Sequence, residues 1–129
     1  MFIDTSVIVA ILSKEPDATE FANRIEAASC LTSALVVLES AMRLATKSGL
    51  DPVVVEQRIQ DFLDVAGIKL APMDGATARL AVKAFADYGK GRGHPAQLNL
   101  ADCFSYACAK AQGVPLLYKG KDFLHTDMR

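Results

Sequence analysis

The chain has 129 residues, 51% hydrophobic and 22% charged, which is one domain's length with enough apolar surface for a core and excludes a disordered chain. Fourteen Lys and Arg against fifteen Asp and Glu leave a formal charge of -1, so a polyanion must be held by a local patch. The longest aliphatic runs, Val7 to Leu12 and Ala34 to Leu38, fall far short of the roughly 20 apolar residues of a bilayer span.

No basic segment precedes the first apolar run, so a secretory signal is not expected and a cytoplasmic protein is. Met1 to Ile3 reads as a short buried strand, and the cluster Asp4, Thr5, Ser6 starts a helix through Leu12. Glu15, Pro16 and Asp17 open a second helix with Pro in its first turn, through Phe21 and Ile25 to about Ala28. A strand near Cys30 to Thr32 follows. Ser33 then caps a helix with the apolar stripe Leu35, Leu38, Met42, Ala45, which stops at Gly49 and leaves Glu39 off the stripe. Asp51 and Pro52 begin another helix to about Val65, Ile68 to Ala71 is a strand candidate, and Asp74 precedes a helix ending near Tyr88. After a Gly-rich loop, Asn99 begins a helix that ends at Gly113, and Val114 to Leu117 reads as a last buried strand. Short continuous apolar strands alternating with helices predict a single domain over 1–129, a three-layer α/β/α sandwich around a central, mainly parallel sheet. Cys30, Cys103 and Cys108 form no CxxC pair and suit buried free thiols in a reducing compartment.

In a parallel sheet the carboxyl ends of the strands lie along one edge, so residues that follow different strands converge there. Four acids meet that rule: Asp4 closes the first strand, Glu39 lies in the opening turns of the helix after the second, Asp102 is in the first turn after the loop, and Asp122 follows the last strand. Like charges so gathered raise one another's pKa, and a divalent cation with hard oxygen ligands, Mg²⁺ or Mn²⁺, relieves them. Metal-assisted hydrolysis of a phosphodiester needs no histidine or serine nucleophile. Thr5 and Ser6 can orient a water or a carboxylate beside Asp4. Lys90 and Arg92 in the loop from Gly89 to Pro95, with Lys119 and Lys121 near the last acid, offer a cationic rim for a nucleic-acid backbone. Each acid also has a local use: Asp4 as an N-cap, Glu39 paired with Arg43, Asp102 closing a capping box with Asn99, and Asp122 as a turn residue. The loop carries no GxxxxGK[ST] string, which excludes that phosphate-cradling motif.

Phe2-Ile3-Asp4-Thr5-Ser6, Leu38-Glu39-Ser40, the stretch from His94 to Cys103 and Leu116-Leu117-Tyr118-Lys119-Gly120-Lys121-Asp122-Phe123 occur in that order along nearly the whole chain. In this ordered set the sequence resembles the PIN-domain ribonucleases, specifically the VapC-type toxins of VapBC toxin–antitoxin pairs. The resemblance implies a Mg²⁺- or Mn²⁺-dependent endoribonuclease with Asp4, Glu39, Asp102 and Asp122 as metal-holding catalytic acids and Thr5 or Ser6 assisting. It also implies a homodimer and a cognate VapB-type antitoxin that blocks the acidic groove. Asp127 fits the family's closing pattern and is expected to assist or replace Asp122. A glycine often precedes the third acid in the family, where this chain has Ala101. The competing reading is a catalytically inactive PIN-like binding module that acts through its partner groove.

Overall fold

The structure, a computed structural model, describes all 129 residues. Its strands are β1 (Phe2–Ile3), β2 (Leu31–Thr32), β3 (Lys69–Leu70) and β4 (Leu116–Leu117), and its helices are α1 (Thr5–Leu12), α2 (Ala18–Glu26), α3 (Ala34–Ser48), α4 (Pro52–Ala66), α5 (Gly75–Tyr88) and α6 (Leu100–Gln112). The four strands form one parallel sheet in the order β3-β2-β1-β4, flanked by helices in a three-layer α/β/α arrangement. Phe2 pairs with Leu31 on one side and Leu116 on the other, so β1 is central, and Phe2 and Ile3 are fully buried. No helix is long and apolar enough to cross a membrane.

The strand order places β2 and β3 on one side of β1 and β4 on the other. The connections leaving β1 and β4 therefore part company at the carboxyl end of the sheet, which opens the crevice where ligands of such sheets bind. Chain-local chemistry aims helices at that end. Asp4 caps α1, Ser33 caps α3 by accepting the Val36 N–H at 3.2 Å, and Asn99 caps α6.

Two expectations fail in informative ways. The second helix starts at Ala18 rather than at Pro16, because Lys14 takes a left-handed φ of 55° and residues 15–17 form the turn. In α3 the apolar stripe is divided: Leu38 is 56% and Met42 60% exposed, Leu35 and Ala45 are half-buried, and the buried positions are Val36, Ser40, Ala41 and Leu44. The helix is apolar on two faces, and spacing alone does not say which one meets the core. All three cysteines are free and buried, as expected.

Candidate active site

Asp4 and Asp102 are the two acids buried in this protein, at 6% and 8% exposure. Asp4 ends β1. Its Oδ2 accepts the Ser6 N–H at 3.1 Å and the Ser6 hydroxyl at 2.7 Å. That hydroxyl also accepts the Lys119 N–H at 2.9 Å, so one side chain ties the carboxyl ends of the two neighbouring strands together. The backbone explains why. The Phe2 and Asp4 N–H groups donate to the Pro115 and Leu117 carbonyls, and beyond Asp4 the chain turns into α1, leaving the Ser6 hydroxyl to receive the next donor of the β4 side.

Asp102 closes a capping box: its Oδ2 accepts the Asn99 N–H at 3.0 Å while the Asn99 side chain accepts the Asp102 N–H at 2.8 Å. The capping use and the site use are thus compatible in one carboxylate. Burial pushes the Asp102 carboxyl up to about 7; the charges of Asp122, Asp4 and Glu39 push the same way, and the Asn99 N–H opposes them. The charges of the other three acids of the expected quartet are therefore felt at Asp102, that of Glu39 from a half-buried position on α3 and that of Asp122 from an exposed one after β4. They line the end of the sheet without closing into a cage, since no three of them stand close enough to share an ion unaided. The Thr5 hydroxyl beside Asp4 and the Ser40 hydroxyl beside Glu39 are buried with no hydrogen-bond partner, an unusual state for polar atoms of a folded core.

The structure separates two expected residues from this site. Asp127 does not join Asp122. Its carboxylate accepts the Tyr106 hydroxyl at 2.6 Å and pairs with Lys110 at 2.5 Å, one and two turns beyond Asp102 along α6. Burial raises the Asp127 carboxyl, but the bonds from Lys110 and Tyr106 outweigh it and hold the group below its ordinary range. The Lys119 ammonium is not a free cation of the rim either, because it lies between Glu15 at 2.5 Å and Asp17 at 3.1 Å. Those two partners stand more than 100 residues away in sequence, and no local pattern announces the pairing.

Lys90, Arg92 and Lys121 are exposed. The Gly-rich loop that carries the first two is held by hydrogen bonds at both its ends. Lys90 N–H donates to the Leu98 carbonyl, Leu98 N–H donates to the Tyr88 carbonyl, and the His94 Nδ1 accepts the Ala96 N–H at 3.0 Å. The His94 ring meets Tyr88 edge-on, and the Arg92 guanidinium sits 5.8 Å from the centre of the Phe85 ring. Gly89 is required by close approach: a Cβ there would lie 2.3 Å from the Phe85 ring and 2.5 Å from its carbonyl oxygen.

The PIN-domain family model matches residues 1–128. The chain is 40% identical over 129 residues to Ribonuclease VapC42 of Mycobacterium tuberculosis, an alignment that takes in 100% of this chain and 97% of that protein. It is 44% identical over 129 residues to Ribonuclease VapC30 of the same species, covering 99% of this chain and 95% of that one. A VapC ribonuclease of Rhizobium meliloti is 40% identical over 139 residues, with 98% of both chains covered. With a family model that spans residues 1–128 and relatives at least 40% identical over almost their whole length, the chain belongs to the PIN-domain family, among the VapC ribonucleases.

Proposed function

We propose that this protein is a divalent-metal-dependent endoribonuclease, the toxin of a toxin–antitoxin pair, and that it hydrolyses RNA phosphodiester bonds at the acidic end of the sheet. The observation that carries the reading is the pair of buried carboxylates, Asp4 at the end of β1 and Asp102 in the first turn of α6, each fixed by a hydrogen bond: acids held out of water beside further negative charge carry an energetic cost that a bound cation offsets.

The donor set fits Mg²⁺ or Mn²⁺. It is all oxygen and negatively charged, with two of its carboxylates buried, and although no three of the acids form a ready-made cage, Mg²⁺ is usually held by one or two carboxylates with waters and substrate phosphate. The unpartnered Thr5 hydroxyl supplies a further polar atom for a water at the same place. Asp4, Glu39, Asp102 and Asp122 are the residues that would hold the ion. Bound there, it would activate water and neutralise charge on the phosphate and the leaving oxygen. The protein's own groups do the positioning. Ser6 holds Asp4 through its hydroxyl and Asn99 holds Asp102 through its N–H, each bond engaging one carboxylate oxygen, Oδ2. Lys90, Arg92 and Lys121 give the RNA backbone contacts that carry no sequence information.

The partners follow the same reading. A VapB-type antitoxin would block the acidic groove, and the groove lined by Leu12, Leu44, Leu50 and Val55 between α1, α3 and α4 offers it a further apolar contact. A homodimer would bury the outward apolar face of Leu38 and Met42 with Leu100, Val82 and Phe85, each of them at least 47% exposed. The three free buried thiols suit a reducing, cytoplasmic setting.

The test is cleavage of a single-stranded RNA in Mn²⁺ by purified protein free of antitoxin. Asp102→Asn keeps an oxygen for the Asn99 N–H and so preserves the capping box. It should cut cleavage by about 10²-fold or more while leaving the far-UV spectrum unchanged. Wild-type rates in Asp102→Asn would sink the proposal.

A further inference from the structure

We propose that Lys119 is a positioning residue, a strap that holds the Asp122 loop in place for catalysis rather than a contact for RNA. The inference rests on the acidic-site reading above and concerns how its most exposed member is kept in register.

Asp122 makes no hydrogen bond of its own and is exposed, yet its charge is felt at Asp102. Its place must come from the chain on either side. On the downstream side Phe123 is 1% exposed, with its ring 5.1 Å from that of Tyr118. On the upstream side Lys119 is held twice. Its N–H donates to the Ser6 hydroxyl, the same hydroxyl that donates to Asp4. Its ammonium bonds Glu15 and Asp17, and Glu15 in turn lies 3.8 Å from Lys47 of α3, the helix that carries Glu39. One residue therefore links the element after β4 to the element after β1 and, through Glu15, to α3. These are three of the four sources of the quartet.

Two further observations separate this cluster from an incidental surface pair. The side chains of Lys119, Glu15 and Asp17 are 36%, 24% and 31% exposed, so water screens them only in part. Asp17 stands at the N-cap of α2, yet its carboxylate makes no capping bond and goes to Lys119 instead. A side-chain capping bond ordinarily stabilises a helix start, and α2 lacks it while the Asp17 carboxylate bonds Lys119. With Lys119 fixed, only Gly120 and Lys121 separate the anchor from Asp122, which keeps the Asp122 backbone within about 10 Å of Lys119.

The experiment compares Lys119→Met, Lys119→Arg and the pair Glu15→Gln/Asp17→Asn with wild type, each well below its melting temperature. Two quantities are read: steady-state cleavage of a fluorescein-labelled single-stranded RNA in Mn²⁺, and affinity for the same RNA in EDTA across a salt series. Lys119→Met should lower kcat about tenfold or more with KM unchanged. Lys119→Arg, which can still bridge two carboxylates, should recover to within about threefold of wild type. Glu15→Gln/Asp17→Asn leaves Lys119 in the chain and should lose as much kcat as Lys119→Met, with nothing further lost on combining them. RNA affinity and its salt slope should stay as in wild type throughout. A fall in affinity with the slope reduced by about one in Lys119→Met would identify a phosphate contact and overturn the proposal. So would full kcat in Glu15→Gln/Asp17→Asn, which decides the matter even if Lys119→Met fails to fold. Asp102→Asn in the same assay keeps the two ideas apart: if it is inactive while the strap variants are fully active, only the strap is wrong.

Discussion

Asp102 accepts the Asn99 N–H, a bond that by itself favours the ionised carboxylate, yet burial and the charges of Asp122, Asp4 and Glu39 lift it to about 7. That shift has a stability consequence with a definite sign. The folded carboxyl keeps its proton up to about pH 7, whereas in the unfolded chain it loses the proton near pH 4. Metal-free protein is therefore favoured by this group at low pH, and the benefit is lost as pH rises from about 4 to 7, by at most about 4 kcal/mol. In EDTA the melting temperature should fall between pH 5 and pH 8, Asp102→Asn should remove most of that fall, and Mn²⁺ should reverse it in wild type. A melting temperature equally flat with pH in both proteins would mean that no strained acid exists. The positions of the four acids along the fold were legible from the sequence, because each follows a strand or lies on a helix beside one; that they serve one ion belongs to the proposal. Asp127 was misread for a physical reason: sequence proximity to Asp122 says nothing about the ammonium of Lys110 or the hydroxyl of Tyr106, which hold it on the far turns of α6.

Element boundaries were legible wherever a side chain caps its own helix, as at Ser33, Asp51, Asp74 and Asn99, since the capping bond is local chemistry. The start of α2 was not, because Asp17 spends its carboxylate on Lys119, a partner that only the folded chain brings near. The inward face of α3 was not either. Its stripe of Leu38 and Met42 has helical spacing but points outward, and the core instead receives Val36, Ala41 and Leu44. The difference is measurable. Leu44→Ala should cost about 2–5 kcal/mol of stability through the cavity it leaves. Leu38→Asp should leave the monomer's fold intact and show itself in light scattering as loss of the dimer. A dimer that survives Leu38→Asp would place the contact elsewhere.

The strand order β3-β2-β1-β4 opens the crevice between the ends of β1 and β4, and the proposed site draws its four acids from the elements around that end. Parallel strands were predictable from short apolar runs alternating with helices. The order was not, since pairing of β1 with both β2 and β4 is decided by long-range packing that no window of sequence contains. The Ser6 hydroxyl, shared by Asp4 and the Lys119 N–H, marks that junction directly. What matters most is whether these oxygens hold an ion in common. Crystals of the antitoxin-free protein soaked in Mn²⁺ and measured at the manganese edge answer this most directly. An anomalous peak is expected at coordination distance from the carboxylates of Asp4 and Asp102, and it should vanish in Asp102→Asn. Manganese found only at other surfaces, with the crevice filled by water alone, would remove the basis for a metal-dependent nuclease at this end of the sheet.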